Sequence, residues 1–324
     1  MKVFAILGSI ALALALIVIV FGNSFFGFVP NKNPQSLFIV QKTDSLAQVQ
    51  KNLRASGYLT TKDTLFTIAE IAGGLFSVAP GGYMLQKDMA PWQLVMKLRH
   101  PDYAWVTIPP GKRKEEVGEI LQTNLGWNPQ QKSEWDGLST TPAGDPIEGQ
   151  LYPDTYLLPT RASATDVANR IIAHFNDVFA PYLPQFTDQN IRWTTGLKIA
   201  SIIQREAAGP DDMPLIAGIL WNRLEKGMPL EIDATVIYAR GNVGQGWWAP
   251  LSAGQTSTID SPYNTYEHKG LPPTPICSPS LPAIQAVLNP ADTQCLYYLH
   301  DRQRQIHCAV TYQEHLQNIS TYLN

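Results

Sequence analysis

The sequence predicts an α+β chain in three parts: an N-terminal transmembrane helix, a small βααβ module, and a larger mixed α+β domain. Three observations predict it. Residues 3–22 carry no charge, and the next charged residue after Lys2 is Lys32. Residues 35–102 place two helix-like segments between short strand-like runs. From residue 147 onward, longer helical patterns give way to short strands and Pro-rich loops. The expected boundaries are therefore 1–29 for the anchor and juxtamembrane segment, 35–102 for the module, 103–146 for a connecting β-α subdomain, and 147–324 for the main domain.

Composition narrows the function classes. At about 150 residues per domain, 324 residues make about two domains. Lys+Arg 24 against Asp+Glu 27 gives a charge of −3, which excludes a strongly basic nucleic-acid binder. A charged fraction of 16% excludes a disordered or coiled-coil chain. Cys277, Cys295 and Cys308 allow one bridge and a spare in three ways, and spacing does not choose among them.

The run from Val3 to Gly22 has the length of a bilayer core, about 30 Å at about 1.5 Å per residue. A cleaved signal peptide has a shorter apolar region, about 7–15 residues, and ends in small residues. Here the run ends in VFGNSFFGF, with Phe21, Phe25, Phe26 and Phe28 where an aromatic belt would sit. An uncleaved anchor in the cytoplasmic membrane is expected, with Lys2 inside and the remainder on the outer face. Pro30–Pro34 reads as a stiff linker.

The module follows. Leu37–Val40 reads as a strand. Ser45 and Gln48 form a capping box opening a helix to about Ala55, with Gly57 as its stop. A second helix is expected at Lys62–Ile71 and a strand at Gly82–Leu85. This is the layout of LysM-type glycan-binding modules. A helix at Pro91–Arg99, a strand at Trp105–Ile108 and a helix at Lys114–Asn124 come next, and residues 125–146 read as a boundary. In the main domain, helices are expected at Asp166–Phe179, Thr195–Ala208 and Met213–Lys226. Strands are expected at Ala234–Ala239, Leu296–Leu299 and Ile306–Val310.

Motifs for phosphate loops, Cys-x-x-Cys, His-Glu-x-x-His and G-x-S-x-G are missing from the sequence, which leaves zinc hydrolysis and a Ser nucleophile unsupported. One carboxylate stands out. Glu206 follows Ile199, Ile202 and Ile203 by seven, four and three positions, so all four share a helix face. Burial there would raise its pKa, as a general acid near neutral pH requires. The alternative is a helix-terminal Glu that reaches solvent or pairs with Arg223. Two rigid strings accompany it, EGQLYPDTYLLP (Glu148–Pro159) and SPYNTYEHKGLPPTPI (Ser261–Ile276). Their aromatic rings, amides and hydroxyls suit sugar faces, or the Tyr rings are simply core.

Together these strings resemble the YceG-like family of endolytic murein transglycosylases. The matching segments are EGQLYPDTY, ASIIQRE (Ala200–Glu206), WNRLEKGMPLEIDATVIYARG (Trp221–Gly241), SPYNTYEHKGLPP, and His307 with TYQEH (Thr311–His315). Gln204 stands where the family motif has its first Glu, Ala234 where it has Pro, and Leu316 where it has Asn. The resemblance implies an anchored enzyme with a catalytic domain at 147–324 and Glu206 as catalytic residue. It implies non-hydrolytic cleavage of the β-1,4 bond between N-acetylmuramic acid and N-acetylglucosamine within glycan strands. Glu206 would protonate the leaving oxygen, then take the proton of the muramoyl C6 hydroxyl as a 1,6-anhydro ring closes. Asp233 and Asn222 would orient groups, and Tyr152, Tyr238, Tyr263, Asn264 and Tyr266 would line a glycan groove. A lysozyme-like hydrolase would need a second carboxyl, for which Glu148, Asp154 and Asp233 are the candidates. A tethered scaffold that binds glycan without catalysis is the competing class. The implied partners are peptidoglycan strands, peptidoglycan synthases and the bilayer around residues 3–22, with no nucleic acid, no metal and no cofactor.

Overall fold

The computed structural model describes residues 34–59 and 78–323. The apolar run at 3–22 and the helix expected at Lys62–Ile71 lie outside them. Among the described residues, no helix is long and apolar enough to cross a membrane. The chain divides into two compact units, one up to Val106 with Leu157–Ala162, the other Thr107–Tyr156 with Ser163–Asn324.

In the first unit, β1 (Ser36–Val40) pairs antiparallel with β2 (Gly81–Leu85), with Phe38 opposite Tyr83. Period-two alternation buries Phe38 and Val40 and exposes Leu37 and Ile39. Between these strands, α1 (Leu46–Ala55) starts where expected, with Ser45 Oγ accepting the Gln48 N–H at 3.2 Å. The Gln48 side chain donates forward to Asn52 instead, so only half of the expected box forms. Val49 and Leu53 pack on Phe38, Tyr83, Leu85 and Leu94, the last from α2 (Pro91–Lys97). Strands β3 (Tyr103–Thr107) and β4 (Thr155–Pro159) complete a sheet of order β1-β2-β3-β4.

The second unit is mostly helical. It begins with α3 (Lys114–Leu125) and α4 (Pro129–Gly137). Composition marked 125–146 as a boundary, yet α4 lies inside it. Asn128 caps this helix, and the fully buried Trp135 donates its indole N–H to Lys114 O at 2.9 Å. One buried anchor holds an otherwise polar segment, which is why its periodicity is faint. Next come α5 (Ala164–Phe179), α6 (Leu183–Asp188), α7 (Trp193–Glu206) and α8 (Met213–Glu225).

The strand expected at Ala234–Ala239 is instead a helix, α9 (Asp233–Arg240). Thr235, Val236 and Ile237 favour strand locally, but packing of Ala234, Thr235 and Val236 toward α7 overrides that preference. Finally come α10 (Leu281–Leu288), the hairpin β5 (Tyr297–His300) and β6 (Ile306–Ala309), and α11 (Tyr312–Tyr322). Helix α7 is the hub. Ile199, Ile202 and Ile203 are fully buried, and α8, α9 and α10 all pack on it.

Gly218 of α8 explains how β5 reaches its place. A Cβ there would lie 2.4 Å from Ala291 O, so only glycine lets the chain pass so close. Ala291 N donates to Pro214 O at 2.8 Å, and the segment then runs along α8. A disulfide joins Cys295, just before β5, to Cys308 in β6, and Cys277 is the free, buried thiol.

Candidate active site

Glu206 ends α7 at the wall of a cavity of about 500 Å³. Tyr298 Oη donates to its Oε2 at 2.8 Å. Asp233, Tyr266, Tyr298 and His300 line the same cavity. The side chain of Glu206 is only partly covered, so the cavity gives access to it.

Several groups act on the Glu206 proton. Burial pushes its pKa up, and the nearby Asp233 charge adds to the rise. The Tyr298 hydrogen bond, His300 and Arg205 oppose it, and the net direction is upward. Its position at a helix C-terminus also disfavours an anion. Arg223 is not its partner: that guanidinium bonds Glu231 Oε2 at 3.0 Å. Gln204 turns away, accepting the Ser280 N–H at 2.9 Å, and Arg205 lies 3.8 Å over the Trp248 ring.

Asp233 reaches the cavity because its helix start is bolted to the 264–266 loop. Thr265 Oγ1 accepts the Ile232 N–H at 3.0 Å, and Glu231 N donates to Thr265 O at 3.1 Å. Asn264 is fully buried and spends its amide on the loop, donating to Thr256 O and Ile259 O and accepting from Tyr266 N. Tyr266 Oη then donates to Asp233 Oδ1 at 2.7 Å. Burial and the Asp233 carboxylate both push the Tyr266 phenol upward.

The other sequence-predicted residues lie off this cavity, in three groups. Glu148 Oε2 accepts from Lys114 N and from Tyr238 Oη, each at 3.1 Å, and Tyr238 packs on Tyr263 with centroids 4.9 Å apart. Tyr152 and Asp154 meet at His174, at 5.5 Å between rings and 2.7 Å to Nε2. Asn222 donates to Thr293 O at 2.7 Å and Cys295 O at 3.1 Å, bracing the approach to β5. Of the predicted set, only Glu206, Asp233 and Tyr266 come together at this cavity.

Sequence reasoning missed Tyr298 and His300. They lie two apart on β5, the spacing that puts two side chains on one strand face. His300 Nε2 pairs with Asp212 Oδ2 at 3.1 Å, which ties the strand to the turn after α7. The arrangement provides one protonatable carboxyl held by a phenol, with a second carboxylate, Asp233, lining the same cavity.

The chain is similar to several known proteins. An endolytic murein transglycosylase of Streptococcus pneumoniae serotype 2 (strain D39) is 32% identical over 179 residues, covering 55% of this chain and 32% of that protein. One from Bacillus subtilis (strain 168) is 33% identical over 181 residues, covering 55% and 49%. The chain thus spans less than two thirds of either relative. A yceG-like protein from Listeria monocytogenes has the same fold in its crystal structure, with a TM-score of 0.58 at 24% identity. That match covers 88% of this chain and 98% of the other. The YceG-like family model matches residues 38–321. Because that match runs over most of its length, the chain belongs to the YceG-like family.

Proposed function

We propose that this chain is an endolytic lytic transglycosylase that cleaves the β-1,4 bond between N-acetylmuramic acid and N-acetylglucosamine within peptidoglycan strands. The observation that carries the reading is the Glu206 carboxyl, held by Tyr298 at 2.8 Å in a cavity of about 500 Å³ and biased toward its protonated form by burial. The names of the pneumococcal and Bacillus relatives support the substrate class.

In this reading, Glu206 gives its proton to the glycosidic oxygen as the C1–O bond breaks and C1 gains oxocarbenium character. The C6 hydroxyl oxygen then bonds to C1, and its proton returns to Glu206, which leaves a 1,6-anhydro end and regenerates the acid. No cofactor and no water enter the balance. Asp233 and Tyr266 contact sugar hydroxyls. Asn222 and Asn264 brace the segments behind them.

Asp233 in the same cavity favours one second reading, a hydrolase with two carboxyls. Incubating the protein with isolated peptidoglycan separates the cases. Anhydro-ended fragments are expected. Reducing ends would establish hydrolysis, and binding without products a scaffold. Glu206→Gln keeps shape and hydrogen-bonding capacity, and its rate should fall by about 10²–10⁴-fold with glycan binding retained.

The wider setting is part of the proposal. Residues 3–22 anchor the chain in the bacterial cytoplasmic membrane with the second unit outside. The first unit acts as a LysM-like module (35–102), joined through 103–146 to the catalytic domain (147–324). The strand and helix order around β1, α1 and β2 supports the module. Cleavage within nascent strands would end elongation beside peptidoglycan synthases.

A further inference from the structure

The Glu206 cavity has a second wall, which the chemistry above does not use. Tyr297 opens β5 and Tyr312 opens α11, with ring centroids 5.8 Å apart. His315 stacks on Tyr297 at 5.5 Å and 23°. These three rings and Arg223 all line the cavity.

The wall is rigidly built. Arg223 is 7% exposed, and its guanidinium carbon lies 5.0 Å from the Tyr297 ring centroid. Arg223 Nε donates to Leu296 O at 2.6 Å. Nη1 donates to Pro229 O and Leu230 O, at 3.0 and 2.8 Å, and to the Glu231 carboxylate. Tyr312 is fixed by the turn that presents it, where Thr311 Oγ1 accepts the Glu314 N–H and Glu314 Oε2 accepts the Thr311 N–H. Yet Tyr312 leaves 59% of its surface to solvent. A large aromatic ring presented into a concave cavity by a rigid support is built to receive a ligand with a flat apolar face.

We propose that this wall is a further glycan subsite. There a pyranose ring of the strand, next to the sugar whose bond Glu206 breaks, lies with its C–H face on Tyr312. Pyranose rings offer an apolar C–H face and a polar edge. The aromatic wall meets the first, and the Glu231 carboxylate beside it accepts hydroxyls from the second. The subsite rests on the transglycosylase reading, because its ligand is the strand that reading assigns.

The test uses the full chain in detergent with uncross-linked glycan strands. Tyr312→Ala should raise KM about 3–10-fold, the range of an aromatic contact, with a smaller fall in kcat and anhydro ends still formed. Tyr312→Phe, which keeps the flat ring, should recover most of that loss. Strand affinity measured in Glu206→Gln, with and without Tyr312→Ala, should weaken by the same factor. An unchanged KM or an unchanged affinity overturns the subsite. A wild-type protein that yields no anhydro ends overturns the underlying reading instead.

Discussion

Tyr298 Oη donates to Glu206 Oε2 at 2.8 Å, so a phenol on β5 aims the carboxyl at the end of α7. The strand that carries this phenol is held from α8. Asn222 donates to Thr293 O and Cys295 O, and the adjacent Arg223 donates to Leu296 O. Two consecutive α8 residues thus fix the backbone that fixes the acid.

Replacing Tyr298 with Phe tests that relationship. The hydrogen bond favours the charged carboxylate and lowers its pKa against the effect of burial. Without it the pKa rises further, so the alkaline limb of the pH–rate profile should move upward. The carboxyl also loses its orientation, and kcat should fall about 10–100-fold, the range of one hydrogen bond to a charged group. A lower kcat with an unmoved alkaline limb would mean that Tyr298 only packs.

Gln204→Glu addresses the departure from the family motif. Gln204 Oε1 accepts the Ser280 N–H at 2.9 Å, and a Glu carboxylate can accept the same bond. The new charge stays outside the cavity but sits two residues from Glu206. It should raise the Glu206 pKa modestly and shift the alkaline limb upward, with anhydro ends unchanged. Reducing-end products from this variant would show that position 204 takes part in the chemistry.

The Cys295–Cys308 bridge brackets the same strand, since Cys308 is the register partner of Tyr298. Cys308→Ser should lower stability by about 2–4 kcal/mol, read as a lower midpoint in denaturant. It should also reduce kcat below the unfolding range, because Tyr298 loses its covalent support. Full kcat in the variant would show that Asn222 and Arg223 hold the strand unaided.

How much was legible in the sequence follows from where the signals lie. Glu206 was legible because Ile199, Ile202 and Ile203 write its helix face in one contiguous segment. Tyr266 was legible in the aromatic string at 261–276 and Asp233 only through motif resemblance, while their meeting depends on Thr265 bonding across to Ile232. The helix at Asp233–Arg240 was misread because β-branched residues favour strand and only tertiary packing decides otherwise. Tyr298 was missed although its strand was expected. Its partner is 92 residues away, and nothing local marks a phenol as a carboxyl's donor. Helix α11 was missed despite a readable capping signal, Thr311 with Glu314.

Glu148 gives a pH-dependent stability that is separate from catalysis. It is buried, its Oε2 accepts from Lys114 N and Tyr238 Oη, and its Oε1 has no partner among the described residues. Burial pushes its pKa up to about 7, whereas an unfolded Glu titrates at about 4.3. The folded state therefore binds this proton more tightly. The resulting stability is fully present below about pH 4 and is lost as pH rises through about 7. The loss amounts to about 4 kcal/mol at most, at about 1.4 kcal/mol per pKa unit. Glu148→Gln mimics the protonated form at every pH and still accepts both bonds through its amide oxygen. The difference in unfolding free energy between Glu148→Gln and wild type should therefore grow in the variant's favour from pH 5 to pH 8. Urea titrations at several pH values measure it directly. A difference that stays flat across that range would mean that Glu148 is already ionised in the folded protein.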